Sequence, residues 1–480
     1  MRLVQTDPVY VKFEELDDYD LENLQKALAY KDLGAKYQYD QARKNKWAAY
    51  QPGWQEHVDD LKKKINKTAL FQDDDGTYKT FAGLVDELRN ADFEFTYENQ
   101  VNYPKYKSIP YALDYTPLPL YQHQKELVTE LLKHKHAAAQ APTGSGKTRC
   151  IEEILHETGY SAVIVVPSKN IATQFYESLV KAFGKNKVGI YGGGKKEFKK
   201  HIIVGIGASL CRLEEGSPEQ TALNSKDLLV YDEAHLCGAP TVSAIAKDVL
   251  KAIPVRYSVS ATPERADGQG TGLTGIIGPV VYAVDFNELV KRCILAKLHF
   301  YVYNVSSDSS YFGKNSLKNS QEHLLYNLNI LQLAAKLANF KVNDFNENVV
   351  ILIQEKEQLD YLKPFLKMPY SFAHAGSDVD EMVKDFNNGK IKCLVGTSCI
   401  STGTDLKPLK NLILLCSGKS VIKFKQAIGR STRTVPGKTS ANIYDFNVVN
   451  DVQSHRHFQM RLAMYQEMSD SITFRDHTHE

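Results

Sequence analysis

Residues 141–148 read Ala-Pro-Thr-Gly-Ser-Gly-Lys-Thr, behind the short strand candidate His-Ala-Ala-Ala-Gln at 136–140 and ahead of a helical pattern at 149–156. A strand, a glycine-rich loop and a helix in that order restrict the backbone to a βα unit whose loop wraps an anion. Gly144 and Gly146 let backbone N–H groups approach phosphate oxygens, with Thr143 and Ser145 between and beside them, and the helix N-terminus adds its positive dipole end. Lys147 supplies a charge for β- and γ-phosphates and Thr148 a hydroxyl for Mg²⁺, so the ligand expected is ATP. A chance glycine turn does not account for eight matching positions followed by a helix.

Asp232 stands 85 positions after Lys147 and opens the sequence Asp-Glu-Ala-His. It ends the apolar run 228–231, which places its carboxylate at the carboxyl edge of a sheet, where it can hold Mg²⁺ directly or through water. Glu233 is then the base or orienter of the attacking water. Four residues alone could be a surface turn; the upstream loop argues against that. Upstream of the loop, Gln124 on a helix beginning near 121 could reach an adenine edge and Tyr121 could stack on the base, with Gln122 competing for the amide role. Farther on, 426–433 read Gln-Ala-Ile-Gly-Arg-Ser-Thr-Arg. Arg430 and Arg433 lie three apart on an expected helix, so one face can aim both at the charge that develops on a transferring phosphoryl group. Without Gln426 and Gly429 beside them they would read as a surface salt-bridge pair.

The rest of the chain repeats the alternation. Runs at 162–166, 202–205, 228–231 and 257–260, then at 349–353, 392–395, 412–415 and 442–444, are strand candidates separated by helical patterns, which implies two parallel-sheet domains. Residues 1–110 form a small α+β domain, acidic and aromatic, with helices expected over 21–28 and 80–90. The first α/β domain spans 111–290 and the second 291–480, with a loop at 306–310. Fifty-nine basic residues nearly balance 57 acidic ones, so net charge does not announce a nucleic-acid partner and any such surface must be local. Seven cysteines show neither zinc spacing nor a disulfide framework, and the longest apolar stretches are strand-sized. Both features point to a reducing cytoplasm, with no membrane contact.

In order along the chain, these motifs resemble the superfamily 2 helicases and translocases of the DEAH-box type. The resemblance covers about 118–446 and also rests on Val-Pro-Ser-Lys at 166–169, Thr-Gln at 173–174, Ser-Ala-Thr-Pro at 260–263, Thr-Ser at 397–398 and Thr-Gly-Thr-Asp at 402–405. It implies two RecA-like domains around one ATP. It further implies coupling roles for His235, Ser260 and Thr262, nucleotide sensing by Gly403 and Asp405, and DNA contacts at Ser168, Gln174, Gly193, Ser209 and Thr397. The stretches 260–268, 278–282, 288–290 and 294–296 are similar to the XPB-like and phage UvsW-like DNA-repair and branch-migration enzymes, and 70–76 resembles the small domain ahead of the phage motors. The chain departs from the pattern where Ile206 and Ala208 stand in place of Thr and Gln, removing two polar contacts to nucleic acid. The resemblance therefore implies an ATP-dependent DNA helicase acting on forks or junctions in replication, recombination or repair, within a bacterial host cytoplasm. A duplex translocase subunit of a restriction or remodelling complex and an ATP-switched DNA-binding protein remain alternatives, and RNA is the less favoured strand.

Overall fold

The computed structural model describes residues 1–44, 50, 53–233, 239–261, 270–310, 315–400, 406, 409–417, 424, 427–429, 431–432 and 438–477. They divide into two compact units, Met1–Ala141 with Gly146–Val284, and Pro142–Ser145 with Asp285–Glu480.

The first unit holds an eight-stranded sheet. Its strand order is Lys195–Lys196, Val188–Gly192, Ile202–Ile206, Ala162–Val166, Leu228–Asp232, Val255–Ser260, His136–Gln140 and Val280–Ala283, parallel except for the first, antiparallel pair. Strands 162–166, 202–206 and 228–232 are buried along their whole length, as expected when helices cover both faces of a parallel sheet. The register sets Asp232 beside Val259 and Ser260 beside Gln140, so the carboxyl ends of three strands finish at one edge. Local signals fix the helices that follow. Lys147–Thr158 starts after Gly146 at φ +84° and stops at Gly159 at φ +65°. A Cβ on Gly159 would stand 1.7 Å from the Lys107 carbonyl oxygen, so both its conformation and its space require glycine.

A second sheet in this unit comes from the first hundred residues, in the order Phe71–Gln72, Tyr78–Phe81, Tyr10–Glu14, Arg2–Gln5 and Thr96–Asn99. Its apolar face shares one core with the larger sheet, from Leu3 and Phe81 through Tyr231 to Ile277. Gly83 meets helix Gly270–Ile277 so closely that a Cβ would lie 2.4 Å from the Thr274 carbonyl. The helix expected from Thr80 begins instead as strand: Thr80 and Phe81 pair with Val11 and Tyr10, a short 3-10 turn follows, and the helix proper is Val85–Asn90. The β-branched and aromatic pair favours the ladder over the helix.

The second unit is built on a seven-stranded parallel sheet, in the order Tyr370–Ala373, Cys393–Gly396, Val349–Ile353, Asn411–Leu415, Ser440–Val448, Lys297–Val305 and Ser471–Asp476. Helix Val452–Met468 is locked to it by a fully buried cluster. Arg461 Nε donates to Asp445 Oδ2 at 2.8 Å and Tyr465 Oη donates to the same oxygen at 2.7 Å. No described helix is long and apolar enough to cross a membrane.

Candidate functional site

The strand end at Asp232 and the glycine loop converge on one buried ion pair. Lys147 Nζ lies 2.8 Å from Glu233 Oε1 and 3.3 Å from the Ala141 carbonyl oxygen. Glu233 reaches it by leaving the strand at φ +53°, a conformation uncommon for a residue with a side chain. Its other oxygen, Oε2, accepts from Ser260 Oγ at 3.2 Å and from the Ala261 N–H at 3.3 Å. Asp232 and Ser260 are buried beside it. The structure thus brings Lys147, Asp232, Glu233 and Ser260 together from three strand ends, and Thr148 follows on the first helical turn.

Gln124 is 4% exposed and faces inward, because its Oε1 accepts from the Tyr121 N–H at 2.9 Å and closes the first turn of helix Gln122–Leu132. Its Nε2 lies against the phosphate loop, where a Cβ on Gly146 would be 2.2 Å away. The amide expected to read adenine therefore braces the loop glycine. Tyr121 stays exposed, its ring stacked at 6.0 Å on the buried His123.

These donors fit Mg²⁺-ATP. The two glycines hold left-handed backbone, φ +89° at Gly144 and +84° at Gly146, as a loop curling its N–H groups toward an anion requires. Among the described residues no cluster of three or more His, Cys, Asp or Glu could hold a metal ion.

On the far half of the same edge lie the residues expected to meet nucleic acid. Ser168 caps helix Lys169–Phe183 through the Ile171 N–H, and Gly193 would place a Cβ 3.4 Å from the Lys169 side chain. Ser209 Oγ would be 2.8 Å from a Cβ on Gly192. Ser168, Gly193 and Ser209 therefore form one rim, following strands 162–166, 188–192 and 202–206, while Gln174 is exposed farther along the helix. Ile206 is 7% exposed and packed inward. In the second unit, Thr397 follows strand 393–396, its N–H donating to the Ala373 carbonyl at 3.1 Å. His235, Thr262, Gly403, Asp405, Gln426, Arg430 and Arg433 lie outside the described residues.

Sequence reasoning missed a strap of linker across the helix that carries Lys147. The N–H groups of Lys107 and Ile109 donate to the carbonyls of Thr158 and His156 at 2.8 and 3.0 Å, and the Tyr111 ring stacks on His156 at 4.2 Å. Arg149 ties the strap down through the Leu118 carbonyl at 3.1 Å and Tyr111 Oη at 3.0 Å. Most of these contacts are backbone or ring contacts, which leave no charge or periodicity signal.

Residues 117–265 match the family described as type III restriction enzyme, res subunit, and 331–435 match the helicase conserved C-terminal domain. The chain is 27% identical over 366 residues to the DNA 3'-5' translocase XPB2 of Sulfurisphaera tokodaii, covering 68% of this chain and 81% of that protein. It is 23% identical over 349 residues to the ATP-dependent DNA helicase uvsW of Enterobacteria phage T4, covering 67% of each. Among solved structures it is similar to the ATP-dependent Type ISP restriction-modification enzyme LlaBIII bound to DNA, with TM-score 0.55, 14% identity and coverage of 83% and 34%. It is also similar to Dbp5 of S. cerevisiae bound to RNA, with TM-score 0.51, 16% identity and coverage of 74% and 89%. At such identities the two structures speak for the fold alone.

Proposed function

We propose that this chain, a superfamily 2 helicase by its two RecA-like sheets and its two matched domains, uses ATP hydrolysis to move along DNA and separate strands at forks or junctions. The observation that carries this reading is the line Lys147–Glu233–Ser260. One residue suited to phosphate is paired with the acid suited to orient water, and that acid is held by the segment that the resemblance assigns to coupling. When phosphate draws Lys147 away, Glu233 loses its partner but keeps two donors, Ser260 Oγ and the Ala261 N–H, which hold its carboxylate in place. Bound Mg²⁺ would neutralise charge on the phosphates, and Thr148 and Asp232 are the residues to hold it. Arg430 and Arg433, with Gln426, are proposed to add the positive charge that the transition state needs; Arg433→Ala should bind nucleotide and lose turnover.

DNA is favoured over RNA by the XPB-like and UvsW-like stretches, and branched DNA by the additional amino-terminal sheet. The rim at Ser168, Gly193 and Ser209 offers backbone donors and hydroxyls suited to phosphates, which favours weak sequence preference. A duplex translocase that never separates strands is the second reading, favoured by the match to a restriction-enzyme subunit. Strand displacement on a synthetic fork decides between them: separated strands with ATP, absent in Glu233→Gln, support the helicase. DNA-stimulated hydrolysis without separation on any fork supports the translocase, and strand separation by Glu233→Gln with bound ATP alone would indicate a binding switch.

A further inference from the structure

The amino-terminal hundred residues carry a charge segregation that the whole-chain balance hides. Between 29 and 68 there are nine Lys and Arg against five Asp and Glu, whereas the remainder of 1–104 holds five against fifteen. Both tryptophans of the chain, at 47 and 54, and tyrosines 30, 37, 39 and 50 fall within the same forty residues. The segment leaves the acidic sheet through a two-stranded ribbon, Ala29–Lys31 against Asn66–Thr68, that carries helices Leu33–Lys44 and Trp54–Ile65.

The base of this hairpin is fixed. The Asp32 N–H donates to the Ile65 carbonyl at 2.8 Å, Asp32 Oδ1 caps the first helix through the Ala35 N–H at 2.9 Å, and Lys67 pairs with Asp32 Oδ2 at 2.7 Å. The first turn of one helix therefore stands beside the last turn of the other, and Lys36 is brought to the same end as Lys62, Lys63 and Lys64. All four are exposed and make no ion pair among the described residues. Leu33 and Tyr37, 45% and 56% exposed, stand on the same first turns, and Arg43 lies over the Tyr39 ring at 5.7 Å. Only Ala35, Val58 and Leu61 of the described residues in the two helices are buried apolar side chains, so packing does not explain the composition.

We infer that this hairpin base is a DNA-backbone contact, separate from the motor rim, that grips duplex next to a branch point. Resting on the DNA-helicase reading above, it supplies the amino-terminal domain with its binding surface. Clustered cations with no ion pair among the described residues, on an element projecting from a domain of opposite charge, are complementary to phosphate, and exposed aromatic rings suit bases that have lost a stacking neighbour at a branch.

The test compares the full chain with its K62A/K63A/K64A variant, measuring the dissociation constant for a labelled fork across a salt series. Each lost phosphate contact lowers the slope of log affinity against log salt by about 0.9, so three lysines should lower it by roughly 2.7 and weaken fork binding roughly tenfold at moderate salt. Thermal unfolding monitored alongside reports that the surface variant remains folded. A slope and affinity equal to wild type would overturn the inference and leave the motor reading standing. A wild-type chain whose hydrolysis responds to no DNA would overturn that reading and the inference with it.

Discussion

Lys147 Nζ sits 2.8 Å from Glu233 Oε1, so the residue proposed to meet phosphate and the one proposed to orient water neutralise each other. The pair avoids leaving a lone buried charge, a costly arrangement, and under the proposed function nucleotide entry would be an exchange of partners for Lys147. Lys147→Ala should abolish hydrolysis with the fold intact, as read by a phosphate-release assay beside circular dichroism. Glu233→Gln should keep nucleotide binding and lose about 10²–10⁴-fold in turnover, the range for a general base. Hydrolysis persisting in purified Lys147→Ala would remove the site from this loop.

Ser260 donates to Glu233 Oε2 at 3.2 Å from the end of the adjacent strand. Ser260→Ala leaves the Ala261 N–H in place, so hydrolysis should fall only a few-fold while strand separation falls much further. The quantity to measure is base pairs separated per ATP consumed. An unchanged ratio would make Ser260 a brace for the carboxylate and nothing more.

His136 lies on the strand that feeds the phosphate loop, its Nε2 3.0 Å from the Pro254 carbonyl oxygen. Burial, assisted by the Arg256 guanidinium, pushes it down to about 3 from an ordinary 6.5. The unfolded chain therefore takes up a proton below pH 6.5 that the folded chain refuses. Stability present above that pH declines as pH falls from 6.5 toward 3, by about 1–2 kcal/mol at pH 5. His136→Gln should flatten this portion of a pH series of urea midpoints; a series unchanged by the substitution would exclude the histidine as its source.

Arg256 is completely buried within a strand and donates to the carbonyls of Ala246, Leu250, Lys251 and Ile253 at 2.8–3.4 Å. It closes the carboxyl end of the preceding helical segment, and burial lowers it to about 10. Arg256→Met keeps the volume but strands those acceptors, costing about 3 kcal/mol or more. Equilibrium urea unfolding reads the loss directly, and a midpoint equal to wild type would contradict this role.

The strands that the sequence bounded most closely, 162–166 and 349–353, are continuous apolar runs buried along their whole length, for which composition and structure are the same fact. The strand–loop–helix around 141–148 and the strand end at Asp232 were legible because glycines and apolar residues stand at fixed offsets there. Arg256 was not: a charged residue ahead of Tyr257 ends an apolar run, so the strand was started one turn of the pleat too late, and its partners are carbonyls without a side-chain signature. Gln124 was placed on the right helix, but whether its amide faces a base or the Gly146 backbone is settled by packing between two helices. The basic hairpin escaped because charge averaged over the first hundred residues reads as acidic.

The central claim is that this motor is driven by DNA. Steady-state ATP hydrolysis measured without nucleic acid and with single strand, duplex, fork, four-way junction and RNA, all at one salt concentration, tests it most directly. The account predicts stimulation by DNA, strongest with the fork or junction. Hydrolysis stimulated by RNA alone, or unchanged by every nucleic acid, would contradict it.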